Sequence, residues 1–282
     1  MRPRPPKVAL VIVACTLLVV LSVSGKILVG KLKPSLPEVP GKTVDEQRGD
    51  FATIPLPGNG CVLVNNVWNK TAAPNNFEQE IFVADLGGKK VPGWRWRSGW
   101  QFPPTVVSQP QIVCGDKPWD KPEHPFPGFP FRAADTHLTV NFRLDMKATG
   151  TFNMAFSMWA VRSLPPTKDA ISHEIMIWTL RNGQVPAGRN YGSMTVNGTT
   201  FDLFVEDAHA DASGLNKNRW MYVAFVPRAP VMYGPLELTA FTGYLVKEHL
   251  LSPDSYITSL EFGNEVTDGA GLVQLTDFTL GP

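Results

Sequence analysis

From residue 61 onward, short apolar runs alternate with turn-forming residues. Cys61-Val62-Leu63-Val64 leads into Asn65-Asn66-Val67-Trp68, and residues 139–144, 151–159 and 175–180 are rich in β-branched and aromatic side chains. Residues 220–226, 255–262 and 271–280 repeat the pattern. Such composition between turn signals predicts strands. Residues 195–205 are broken at Asn197-Gly198, a pair suited to a type I′ turn, which predicts a hairpin. One segment differs. Over 236–250, Leu238, Phe241, Tyr244, Leu245 and Leu250 recur at near-helical spacing, and Pro253 and Asp254 end it. The expectation is an all-β sandwich, barrel or jelly roll with one late α-helix. No internal repeat is present. The Pro/Gly stretch over 122–130 reads as a loop, because Phe126, Phe129 and Phe131 need somewhere to pack.

The N-terminus carries a different pattern. Arg2, Arg4 and Lys7 precede an uncharged apolar run over 8–25. A basic flank followed by an apolar run is an export signal. Ser22 and Ser24 form a small-x-small site before Gly25, yet the run approaches the roughly 20 residues that span a bilayer. Residues 1–25 are therefore a cleaved signal peptide or an uncleaved anchor. Both place the rest outside the cytoplasm, either secreted or tethered. Residues 26–49, with Lys26, Lys31, Lys33, Pro34, Pro37 and Pro40, read as a linker, so the folded domain is expected over 50–282. It holds Cys61 and Cys114. An even pair in an exported domain predicts a disulfide, and neither cysteine has a ligand-spaced Cys or His, so no metal is expected.

Composition narrows the partners. The 282 residues carry a formal net charge of +1 with 18% charged, which removes the electrostatic basis for a general nucleic-acid binder. A mean hydropathy of −0.06 excludes a polytopic membrane protein, leaving membrane contact to the N-terminal segment alone. A monomer is expected. Pro 26, Gly 24 and Trp 8 fit a turn-rich domain with an aromatic-lined surface.

The sharpest chemical feature is His173-Glu174-Ile175-Met176-Ile177-Trp178. On a strand, Glu174, Met176 and Trp178 share one face and His173, Ile175 and Ile177 the other. The second set suits a core and leaves His173 a structural histidine. The first combines a carboxylate, a thioether and an indole, which fits a ligand cleft better than plain surface. Glu261 and Glu265 lie in the stretch after the helix. Two glutamates on one concave sheet are the minimum equipment of a glycoside hydrolase. Trp68, Trp94 and Trp96 are candidates for stacking on sugar rings. The acids of 206–211 match no cation-binding loop and read as solvated.

Glu174-Ile175-Met176-Ile177-Trp178 resembles the nucleophile strand of glycoside hydrolase family 12, the small jelly-roll endoglucanases and xyloglucanases. Asn65-Asn66-Val67-Trp68 resembles that family's early substrate-binding strand, Trp94-Arg95-Trp96 its Trp-x-Trp segment, and Phe262-Gly263-Asn264-Glu265 the strand with its acid/base glutamate. The resemblance spans about residues 58–280. It implies two stacked antiparallel sheets with a concave groove for a β-1,4-glucan chain, and endo-hydrolysis by double displacement without metal or organic cofactor. It makes Glu174 the nucleophile and Glu265 the acid/base, with Asn66, Trp68, Trp94, Trp96, Met176 and Trp178 against the sugar. Two departures stand out. Ser157, in Phe156-Ser157-Met158-Trp159, takes the place of an aspartate that contacts the nucleophile in the family. Val266-Thr267-Asp268-Gly269 also lacks an aromatic expected near the aglycone side. The alternative reading is a non-catalytic or degenerate carbohydrate-binding jelly roll, which Ser157 keeps open.

Overall fold

The computed structural model describes residues 35–56, 58, 60–120, 126–135, 138–211, 213, 214 and 216–281. The expected signal or anchor over 1–25 lies outside them, as do linker residues 26–34. The strands are β1 (Lys42–Gln47), β2 (Thr53–Leu56), β3 (Cys61–Val64), β4 (Glu78–Leu86), β5 (Lys89–Ser98), β6 (Gln111–Gly115), β7 (Phe131–Arg132) and β8 (Thr139–Thr149). They continue as β9 (Phe152–Val161), β10 (Ile171–Asn182), β11 (Arg189–Val196), β12 (Thr199–Ala210), β13 (Arg219–Pro227), β14 (Leu236–Glu237), β15 (Tyr256–Gly263) and β16 (Gly269–Gly281), with α1 (Thr239–Lys247) before β15.

Two sheets form the expected β-jelly-roll sandwich. One is ordered β1-β4-β5-β16-β8-β14, the other β11-β12-β13-β10-β9-β15-β6-β3-β2, with β7 added beside β15. The ladders are antiparallel except β10–β13, which runs parallel because the β11–β12 hairpin intervenes and β13 returns beside β10. That hairpin turns at Asn197 and Gly198, both at positive φ as a type I′ turn requires.

Strand β8 shows how the sequence builds the sandwich. Val140, Phe142 and Leu144 are buried, while Asn141, Arg143 and Asp145 face solvent, the period-two pattern of a half-covered sheet. Strand β9 is buried along its whole length. Its Met154, Phe156 and Met158 enter the core between the sheets, and its Ala155, Ser157 and Trp159 lie under the cleft on the opposite face. The sheets meet through rings: Phe142 of β8 lies 5.2 Å from Phe156 and 5.3 Å from Phe262. Helix α1 closes one end, with Phe241 packed 5.0 Å from Phe201 and 4.9 Å from Phe225. Among the described residues, no helix is long and apolar enough to cross a membrane.

Three features depart from the sequence reading or sharpen it. Strand β1 lies inside the stretch expected as linker and pairs with β4 from Lys42↔Asp85 to Gln47↔Ile81. An edge strand needs backbone pairing but few apolar side chains, so its polar sequence hides it. Cys61 and Cys114 are joined, and both are buried. The β3–β6 register, Val62↔Val113 and Leu63↔Ile112, sets them opposite each other. Trp94 and Trp96 point into the core and are fully buried. This corrects the expectation that they lie against a sugar. Trp96 lies so close to β16 that a Cβ at Gly271 would come within 2.2 Å of its ring.

Candidate active site

The outer face of the ten-stranded sheet holds a cleft of about 740 Å³. Its lining crosses β12, β13, β10, β9, β15, β6, β3 and β2. At roughly 4.8 Å per strand the floor extends about 34 Å. Glu174, Glu265, Asn66, Trp68 and Trp178 all line it.

Period two on β10 aims Glu174 into the cleft while Ile175 and Ile177 enter the core. In register it stands opposite Trp159 of β9 and beside Tyr222 of β13. Trp220 Nε1 donates to Glu174 Oε2 at 3.0 Å. Met176 shares this face but is 1% exposed, packed beside Ala155, Trp178 and Tyr222 in the floor. It supports the lining and is not part of the open surface. Ser157 is buried next to it in register, with Gln109 Nε2 at 3.5 Å from its Oγ. His173 faces away as expected, its Nε2 2.7 Å from the Leu250 carbonyl oxygen, and burial lowers its pKa.

Glu265 follows the end of β15. Val266, fully buried, bridges to both Ser108 and Phe152 and so fixes the backbone there. Glu265 N donates to Asn153 Oδ1 at 3.0 Å, while Asn153 Nδ2 and Gln184 Nε2 both donate to its Oε2, the latter at 2.9 Å. Core Trp94 contributes from behind, through a hydrogen bond from its indole to Asn264 Oδ1. Its role is to hold the neighbouring residue in place.

The two carboxyl groups repel each other. Burial chiefly, then the charge of Glu265, pushes Glu174 up to about 8, against the hydrogen bond from Trp220. Burial pushes Glu265 up to about 7, against the donors on Asn153 and Gln184. In the empty cleft Glu174 therefore keeps its proton to higher pH than Glu265, and for Glu174 to attack, that proton has to pass to Glu265 when substrate enters. A neighbouring acid and carboxylate in a poorly hydrated cleft can protonate a leaving oxygen and attack a carbon centre.

Several lining residues escaped the sequence reading. Trp159 packs 4.7 Å from Trp119 and 5.4 Å from Trp220, and His209 lies 5.0 Å from Tyr222. Trp159 and Asn153 share Ser157's parity on β9, a signal already in the sequence. Nothing local marks Trp220, Tyr222 or Gln184. The acids after Glu206 belong to the end of β12 and the following turn, and Glu206 contacts His209 at 2.5 Å. No cluster able to hold a metal ion occurs among the described residues.

Comparison with known proteins gives a consistent picture. The family model described as glycosyl hydrolase family 12 matches residues 59–281. Endoglucanase S of Pectobacterium parmentieri is 28% identical over 224 residues, covering 78% of this chain and 81% of that protein. A Phytophthora nicotianae protein named inactive glycoside hydrolase XLP1 is 23% identical, over 74% of this chain and 80% of its own. The native family 12 xyloglucanase from Bacillus licheniformis superposes with a TM-score of 0.73 at 24% identity, covering 84% of this chain and 99% of that one.

Proposed function

The chain belongs to glycosyl hydrolase family 12, and from that premise we propose an exported endo-β-1,4-glucanase that retains anomeric configuration. The observation that carries this reading is the pair of electrostatically coupled carboxyl groups, Glu174 and Glu265, facing one aromatic-lined cleft. Glu174, ionised, attacks the anomeric carbon as the glycosidic bond breaks, and Glu265 gives its proton to the departing oxygen. The resulting glycosyl ester on Glu174 is then cleaved by water, whose proton Glu265 takes. Asn153 and Gln184 hold the Glu265 carboxyl in one orientation for both steps. Trp220 does so for Glu174.

The substrate class follows from the lining. Trp68, Trp119 and Trp159 offer apolar surfaces to sugar rings, and Asn66 and Gln109 offer hydrogen bonds to hydroxyls. The cleft continues across β15, β6, β3 and β2 beyond the carboxyl pair, which suits an internal stretch of β-1,4-glucan: mixed-linkage glucan, amorphous cellulose or xyloglucan. Export is supported by the buried Cys61–Cys114 disulfide, a bond that persists in oxidising compartments.

A glucan-binding protein without turnover is the second reading. Ser157 favours it, as does the likeness to a relative named inactive. Reducing-sugar release from barley β-glucan, carboxymethylcellulose and xyloglucan separates the two. The hydrolase reading expects activity that drops about 10²–10⁴-fold in Glu265→Gln and at least as far in Glu174→Gln, with the β-anomer formed first. Binding without sugar release at any pH from 4 to 9 would establish the second reading.

A further inference from the structure

Five carboxyl groups line the cleft, those of Asp120, Glu174, Asp211, Glu261 and Glu265, and the double displacement uses two. Of the other three, Glu261 of β15 is the deepest, at 2% exposed. Its Oε1 accepts a hydrogen bond from Trp159 Nε1 at 2.9 Å, and its Oε2 lies 3.0 Å from Lys117 Nζ. The lysine side chain is itself only 11% exposed. A carboxyl group is rarely this deep without a partner, and Lys117 is its partner. The strand registers set this pair close to the nucleophile. Glu261 stands opposite Ser157 on β9, and Trp159, two residues on, stands opposite Glu174. Trp159 packs on Trp220, whose indole holds Glu174.

We propose that Glu261 and Lys117 are a charge pair that positions Trp159 and acts from β15 on Glu174, the two partners pulling in opposite directions. The inference rests on Glu174 as the nucleophile. The negative charge of Glu261 disfavours ionisation of Glu174 and the positive charge of Lys117 favours it, so the two partners act on it in opposite directions.

The other groups around Glu174 are few. Strand β9 presents no charge to it. From β13 come Trp220 and Tyr222, and burial holds the Tyr222 phenol well above its ordinary range, so it stays neutral. Glu265 faces Glu174 from beyond β15. Farther along the cleft stand Asp120, Lys168, His209 with its partner Glu206, and Asp211. Of these, Asp120 also feels Lys117 and Glu261 with opposite signs, so the carboxyl ¹³C titration has to be read at Glu174 itself.

The test is the acid limb of kcat/KM against pH on soluble β-glucan, read alongside a carboxyl ¹³C titration of Glu174 that needs no turnover. Glu261→Gln leaves Lys117 unbalanced and lowers both readouts, on the order of one pH unit. Lys117→Met leaves Glu261 unbalanced and raises both by a similar amount, with Lys117→Gln as the substitute should that variant fail to fold. The double variant lies between the two single variants. Ser157→Asp added to Glu261→Gln restores a flanking carboxylate and moves both readouts back up. Shifts in one direction for both single variants, or no shift in either, overturn the proposal. Trapping with a 2-deoxy-2-fluoro glycoside keeps the two readings apart. A label on Glu174 with unmoved readouts sinks the charge pair alone, and a label on another residue sinks the nucleophile assignment with it.

Discussion

Glu174→Gln is expected to stabilise the fold, and increasingly so as pH rises. The side chain is set among Trp159, Trp178, Trp220 and Tyr222, and burial is the main reason its pKa rises from 4.5 to about 8. In the unfolded chain it titrates near 4.5. Between those values the folded protein binds the extra proton, so stability is full below about pH 4.5 and falls progressively as pH climbs to about 8. Each pH unit of that gap is worth about 1.4 kcal/mol, which sets a ceiling of about 5 kcal/mol. Part of the rise comes from repulsion by Glu265, and residual solvent screens the rest, so about 2–3 kcal/mol is the working figure. Glutamine keeps the shape and still accepts from Trp220 Nε1, but never ionises. Thermal unfolding of parent and variant at pH 5 and pH 8.5 reads the effect directly. At about 2–4 °C per kcal/mol for a domain of this size, the variant gains several degrees at pH 8.5 and little at pH 5. An equal difference at both pH values, or a variant less stable at pH 8.5, would refute the claim that the cleft is a poorly hydrated site for this carboxylate.

Gln184→Leu removes a 2.9 Å donor from Glu265 Oε2. A hydrogen bond to a charged acceptor is worth roughly 1.5–3 kcal/mol, so the alkaline limb of kcat/KM moves up by on the order of one to two pH units; a limb that stays or falls contradicts the assignment of Glu265 as acid. Trp68→Ala and Trp96→Ala separate cleft from core: the first raises KM with little change in melting temperature, and the second loses about 3–5 kcal/mol of stability without changing the KM of the molecules that fold.

The strands with clean alternation, such as β8, were legible from the sequence, and so were the hairpin at Asn197-Gly198 and α1. Strands β1, β4 and β6 carried no such mark, because a polar edge strand and strands covered on both faces do not alternate; β2 alternates, but over four residues and with a proline at position 55. Strand β5 is further disguised by Pro92 and Gly93, where the backbones pack so closely that a Cβ on Gly93 would come within 2.3 Å of the Val273 carbonyl oxygen. The site divides in the same way. Glu174 labels its own face, because a carboxylate among Met176 and Trp178 does not belong in a core. Two tryptophans at i and i+2 announce only that they share a face. Trp94 and Trp96 turned inward, while Trp159 and Trp220 turned to the cleft, and only the registers Glu174↔Trp159 and Glu174↔Tyr222 reveal which aromatics surround the carboxylate. Asn153 and Gln184 lie 112 and 81 residues from Glu265, beyond the reach of any local motif.

The properties that suit this cleft for acid chemistry also weaken the fold, and the disulfide lies where it offsets them. Drying the floor with aromatic rings raises the pKa of Glu174 and Glu265, so above neutral pH both buried charges oppose folding. One wall of the same cleft, bearing Asn66, Trp68, Thr105, Val106, Gln109 and Val113, is carried on the segment between Cys61 and Cys114. Closing that 53-residue loop removes unfolded-state freedom worth about 4 kcal/mol, the same order as the penalty for the carboxyl pair. The bond sits on the core side of β3 and β6, while Val62 and Val113 between the same strands face the cleft. Sheet alternation thus lets one strand pair hold a covalent tie on its inner face and the lining of the cleft on its outer one. If the chain is exported as proposed, an oxidising medium preserves that tie, and the cleft can keep carboxyl groups whose raised pKa costs stability above neutral pH.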